Sequence, residues 1–149
     1  MAAARSRRRP KGAGTPVQRT CSIKAGEAAT VVVVDDDPSV LRALSRLIRA
    51  AGFRVLTFDR PSALLASAIP RANACMVVDI NLPEMSGSEL CSALAASGRG
   101  LPAILITGRN DFATQRLIAK AQVVAALFKP VDERALFDAI ARALVLSDG

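Results

Sequence analysis

A chain of 149 residues has room for one domain and a tail, and a composition with 51% hydrophobic residues is that of a globular protein. No apolar run approaches the roughly 18–20 residues that cross a bilayer, so a membrane helix is excluded. The chain has no His and no Cys-x-x-Cys pair, which argues against structural zinc, and its three cysteines are too scattered for a disulfide framework.

The net charge of +7 is concentrated at one end. Residues 1–29 carry seven bases (Arg5, Arg7, Arg8, Arg9, Lys11, Arg19 and Lys24) against Glu27 alone, a net +6 that leaves +1 for the remainder. Residues 1–28 lack hydrophobic periodicity and read as a disordered basic tail, with residues 29–149 forming the single domain. At most the tail is a weak, salt-sensitive tether to nucleic acid or an acidic partner. No apolar core follows the arginines, so it is no secretory signal.

Thr30 to Asp35 reads as a first strand ending in three aspartates. Pro38 then suits the first turn of a helix that Asp37 can cap, with Val40, Leu41, Leu44, Leu47, Ile48 and Ala51 at helical spacing and Gly52 at the stop. Arg54 to Phe58 is a less apolar strand, as suits a sheet edge, and Pro61 opens a short helix with Leu64, Leu65 and Ile69 inward. Cys75 to Asp79 forms a third strand. Ser86 and Glu89 stand three apart as a capping box for a third helix, whose inner face carries Leu90, Cys91 and Leu94 before Gly98. Cys75 and Cys91 are therefore expected as buried, reduced thiols, as in a cytoplasmic protein. Pro102 leads into a fourth strand closed by Thr107-Gly108, and Asp111 can cap a fourth helix with Leu117, Ile118 and Ala121 inward. Val123 to Phe128 makes a fifth strand that stops at Lys129, and Asp132 starts a last helix with Leu136, Phe137, Ile140 and Leu144 buried.

Apolar strands alternating with amphipathic helices predict an α/β fold with a parallel sheet. Parallel strands end on one edge of the sheet, so Asp35, Asp36, Asp79, Thr107 and Lys129 are expected to converge there. Three carboxylates in a partly dry cleft repel one another strongly, and a divalent cation resolves the conflict. Oxygen ligands without His or Cys favour Mg²⁺ or Mn²⁺. Asp79 is then placed to attack phosphorus and form an acyl phosphate, with Lys129 and the Thr107 hydroxyl supporting the phosphoryl oxygens. A dinucleotide site would need glycines after the first strand, where this chain has Asp35-Asp36-Asp37-Pro38.

Val34-Asp35-Asp36-Asp37, the run Asp79-Ile80-Asn81-Leu82-Pro83-Glu84-Met85-Ser86-Gly87, Ile106-Thr107-Gly108 and Phe128-Lys129-Pro130 resemble, in order, the motifs of the bacterial response-regulator receiver domain, most nearly of the FixJ type. The likeness covers about residues 30–147. It implies a flavodoxin-like, doubly wound (βα)5 sheet in strand order 2-1-3-4-5. It further implies that Asp79 is the phosphoacceptor, that Asp36, Asp79 and the Asn81 main-chain carbonyl hold Mg²⁺ directly and Asp35 holds it through water, and that Thr107 and Lys129 engage the phosphoryl group. Such a protein is no enzyme beyond its own phosphorylation and dephosphorylation.

The implied partners are a sensor histidine kinase or histidine phosphotransfer protein, a downstream output protein, and a second copy meeting the first through the fourth helix and fifth strand. Two positions depart from the pattern. Ala126 stands where the family usually has a Tyr or Phe that moves with the Thr, and Gln122 where it commonly has Gly. Ala126 favours an alternative, a phosphorylation-independent interaction module. Arg109 overhangs the expected cleft and could tune water access, while Leu82 and Met85 read either as packing beneath the loop or as a docking rim.

Overall fold

The computed structural model describes residues 28–108, 111–120 and 123–148. Cys21, Arg109, Ala121, Gln122 and the basic tail up to residue 27, with the tether, the water gate and the altered turn read from them, lie outside the described residues. Strands and helices alternate as β1 (Thr30–Val34), α1 (Pro38–Ala50), β2 (Arg54–Phe58), α2 (Pro61–Leu65), β3 (Ala74–Asp79), α3 (Gly87–Ala96), β4 (Ala103–Thr107), α4 (Phe112–Lys120), β5 (Ala125–Phe128) and α5 (Glu133–Asp148). All neighbouring strands pair in parallel, in the order β2-β1-β3-β4-β5 that the resemblance implies.

β1, β3 and β4 are buried at every position, because helices cover both faces of the sheet and an apolar run has no solvent side. On one face Val31, Val33, Val77, Ile104 and Ile106 meet Leu44 and Ile48 of α1 and Leu136, Ile140 and Leu144 of α5. On the other Val32, Val34, Met76, Val78 and Leu105 meet Leu64 of α2, Leu90 and Leu94 of α3, and Leu117 and Ile118 of α4. Each fully buried Leu or Ile contributes about 1.5–3 kcal/mol relative to its exposed state. β2 and β5 are the two edges. β5 is shorter than expected and nowhere fully buried, and its last residue, Phe128, is 42% exposed.

Helix starts follow the local chemistry. The Asp37 carboxylate accepts from Ser39 N at 2.9 Å with Pro38 in the first turn, and Asp111 and Asp132 cap α4 and α5 through Thr114 N (2.8 Å) and Ala135 N (2.9 Å). Ser86 and Glu89 exchange the two bonds of a capping box. α2 ends at Leu65, so Ile69 falls beyond it, half-buried. This short helix is held from outside: Glu84 accepts from Ser62 N (2.7 Å) and Ser62 Oγ (2.9 Å), and the Arg99 guanidinium donates to the carbonyls of Leu65 and Ser67. Leu82 and Met85 pack, half-buried, against the α2–α3 core.

Candidate functional site

In the sheet order, β1 and β3 lie side by side although their connections run to opposite edges, and such a switch point opens a crevice at the carboxyl ends of the strands. Asp35 follows β1, Asp79 closes β3, Thr107 closes β4 and Lys129 follows β5, so four strand tips deliver one side chain each. Asp36, one residue beyond Asp35, is exposed at the rim. Asp35, Asp36 and Asp79 each offer one carboxylate oxygen, and these three oxygens lie within 4.8 Å of one another.

Lys129 Nζ bridges the acids, 3.0 Å from Asp35 Oδ2 and 3.2 Å from Asp79 Oδ2. The other oxygens are committed to the backbone: Asp35 Oδ1 accepts from Asp37 N at 2.9 Å and Asp79 Oδ1 from Asn81 N at 3.0 Å. Asp35 Oδ2 is fully buried and lies close to Lys129, but not along a hydrogen-bonding direction, so it has charge neutralisation without a donor. Thr107 is buried, with the Asn81 amide 3.5 Å from its hydroxyl, and Lys129 N donates to Thr107 O at 2.8 Å, which ties the ammonium-bearing residue to the β4 tip.

The electrostatics are those of a crowded acidic pocket. Burial first, and the Asp35 charge second, push the Asp79 carboxyl above its ordinary value, against the lowering pull of Asn81 N and Lys129. Partial burial pulls the Lys129 ammonium down, but the carboxylates of Asp35 and Asp79 outweigh it and the net shift is upward. Gly87 keeps the loop close: a Cβ there would lie 2.4 Å from Asp79 O and 2.9 Å from Val78 Cγ1. Gly87 N donates to Ile80 O at 2.8 Å, which closes the turn under the site.

Residues 31–141 match the response regulator receiver domain family. The chain belongs to that family. Among curated proteins this receiver is similar to the response regulator protein TmoT of Ectopseudomonas mendocina, with 36% identity over 121 residues that cover 81% of this chain and 55% of that protein. It is also similar to the transcriptional regulatory protein FixJ of Rhizobium meliloti, at 34% over 114 residues, covering 76% and 56%. The receiver thus spans little more than half the length of these relatives. Among solved structures, the response regulator StyR superposes with a TM-score of 0.74 at 42% identity, covering 81% of this chain and 61% of that one. A CheY-like receiver domain protein from Methanospirillum hungatei shares the fold, with a TM-score of 0.71 at 23% identity. The protein is therefore a receiver domain of the kind that response regulators use in two-component signalling.

Every residue expected at the strand tips is brought to one place. The receiver's acids also suit a hard divalent cation: the donors are oxygens only, three carboxylates can contribute one atom each, and a buried carboxylate oxygen lacks a hydrogen-bond donor. Ala126 sits half-buried on β5 opposite Leu105. Phe128, which the sequence places at the end of the fifth strand and in the Phe128-Lys129-Pro130 motif, is exposed. It pairs in register with Thr107 beside Lys129. Cys75 is buried and Cys91 half-buried, and desolvation raises their thiols to about 12 and about 11, so neither is poised to react.

Proposed function

We propose that the receiver accepts a phosphoryl group on Asp79 from a phosphohistidine of a sensor histidine kinase or histidine phosphotransfer protein. A carboxylate oxygen of Asp79 attacks phosphorus, the bond from phosphorus to the imidazole nitrogen breaks, and the electron pair leaves with the imidazole. Hydrolysis of the acyl phosphate later restores the carboxylate and releases inorganic phosphate. Asp36, Asp79 and the Asn81 carbonyl would hold Mg²⁺ or Mn²⁺, with Asp35 acting through water. When bound, the cation supplies the positive charge that lets an anionic phosphoryl group approach a cluster of carboxylates. Lys129 holds a second positive charge against the same group, and Thr107 donates its hydroxyl to a phosphoryl oxygen.

The observation that carries this reading is the meeting of three carboxylate oxygens within 4.8 Å, with Lys129 bridging Asp35 and Asp79 and one buried Asp35 oxygen without a hydrogen-bond donor. Signalling then runs through protein contacts that differ between the two states, to an output protein or to a second copy across α4 and β5. The test is incubation with acetyl phosphate and Mg²⁺ under conditions that preserve acyl phosphates. The expected result is a mass gain of one phosphoryl group that Asp79→Asn abolishes.

A second reading, a phosphorylation-independent interaction module, is favoured by Ala126, which offers no ring to couple the site to the surface. It predicts no mass gain and partner binding indifferent to Asp79→Asn. The tail remains a proposed weak tether whose removal would abolish any nucleic-acid affinity.

A further inference from the structure

On the side of the molecule away from β5, an open cleft of about 280 Å³ runs between α1 and the edge strand β2, lined by Leu41, Arg42, Ser45, Arg46, Arg49 and Thr57. It shares no residue with the acidic pocket. Arg42, Arg46 and Arg49 recur at helical spacing, so their guanidiniums form one row along α1, about 10 Å from first to last at 1.5 Å per residue. Among the described residues none of the three makes an ion pair, whereas the exposed Arg60 is paired with Asp59 at 3.1 Å. Arg49 lends one N–H to Val55 O at 3.4 Å, which turns its guanidinium over the outer edge of β2. Among the described residues no further strand pairs with this edge, and Arg54, Leu56 and Thr57 are exposed along it.

We propose that this cleft is a docking site for an acidic segment of a partner protein, whose Asp and Glu side chains pair with Arg42, Arg46 and Arg49. Charge complementarity selects the occupant. From residue 30 onward the chain is nearly neutral, yet this face presents three positive charges in a concavity that no ion pair among the described residues neutralises. The lining distinguishes an acidic peptide from a nucleotide or a single nucleic-acid strand. It contains no aromatic ring on which a base could stack, while Leu41 offers an apolar floor and Ser45 and Thr57 offer hydroxyls between the charges. Alternate side chains of an extended segment are spaced about 6.5–7 Å, comparable to the 6 Å rise between Arg42 and Arg46, so successive acids can meet successive arginines. Because the cleft shares no lining residue with the acidic pocket, docking here is separate from phosphoryl transfer and would set which partner is held while the acidic pocket reacts.

The test uses the full chain and a fluorescein-labelled model peptide of alternating Glu and Ala, with a Gln/Ala peptide, a labelled oligothymidylate of equal length and inorganic pyrophosphate as parallel probes. Fluorescence anisotropy should show the Glu peptide binding in preference to the Gln peptide and the oligothymidylate, with affinity falling as salt rises. Arg42→Glu combined with Arg49→Glu should weaken it by about tenfold or more. Both side chains are exposed, and circular dichroism is the check that the variant is folded. Arg19→Glu combined with Lys24→Glu, the same charge change in the tail, should leave most of the affinity. Binding that ignores the α1 reversal, binding lost equally on the tail reversal, or preference for the oligothymidylate or pyrophosphate would each overturn the proposal.

Discussion

Replacing Lys129 with Met removes a charge from the centre of the site while keeping most of the side chain's volume. In the structure Nζ stands 3.0 Å from Asp35 Oδ2 and 3.2 Å from Asp79 Oδ2. At an effective dielectric constant of about 20, each pair is attracted by roughly 5 kcal/mol before desolvation is counted. Desolvation removes much of that, and breaking a buried pair by deleting one partner typically costs about 3–5 kcal/mol. The Lys129 side chain is 26% exposed, so water screens part of the interaction, while Asp35 is wholly buried and cannot rehydrate when the cation goes. We expect a loss of about 2–3 kcal/mol without divalent metal, which for a domain of this size lowers Tm by about 10 °C.

Saturating Mg²⁺ should restore most of this loss, because a dication held by the same carboxylates replaces the missing charge. Mg²⁺ should therefore stabilise Lys129→Met more than it stabilises the wild type. The assay is thermal unfolding followed by far-ultraviolet circular dichroism in EDTA and in Mg²⁺, since the chain has no Trp or Tyr to report by fluorescence. A loss below about 0.5 kcal/mol, in the range of an ordinary surface substitution, or an equal loss in both buffers would refute the reasoning.

The remaining expectations concern the acids and the loop. Because the Asp79 carboxyl lies above its ordinary value of 3.8, the protonated form is favoured by the fold. In EDTA the stability of the wild type relative to Asp79→Asn should be greatest below pH 3.8, fall as pH rises through the higher folded value, and then level off. Melting curves across that window that show a flat or rising difference would contradict this. Gly87→Ala drives a methyl into Asp79 O and Val78, so it should destabilise by about 3 kcal/mol and reduce acetyl phosphate labelling; full labelling at wild-type stability would show that the loop yields. Ser86→Ala removes one half of the α3 capping box and should cost about 1 kcal/mol in denaturant unfolding, with labelling of Asp79 retained.

Much of the fold and most of the candidate site were legible in the chain because they depend on local order. Runs such as Val31 to Val34 and Met76 to Val78 can satisfy their backbone and bury both faces only as central parallel strands. The caps Asp37, Ser86, Asp111 and Asp132 mark helix starts by chemistry that acts over two or three residues. Strand ends carrying Asp35, Asp79, Thr107 and Lys129 then had to share an edge, since parallel strands all end on the same side. Only the tertiary structure decided what depends on distances across the chain. That Lys129 lies between Asp35 and Asp79 and leaves a buried oxygen without a donor, that Glu84 and Arg99 hold both ends of α2, that Phe128 is exposed opposite Thr107, and that three arginines share a cleft with β2 all involve partners with no fixed sequence separation. Helical and strand periodicities assign a side chain to a face; which groups meet across faces, and which are left unpaired, is settled when the layers pack.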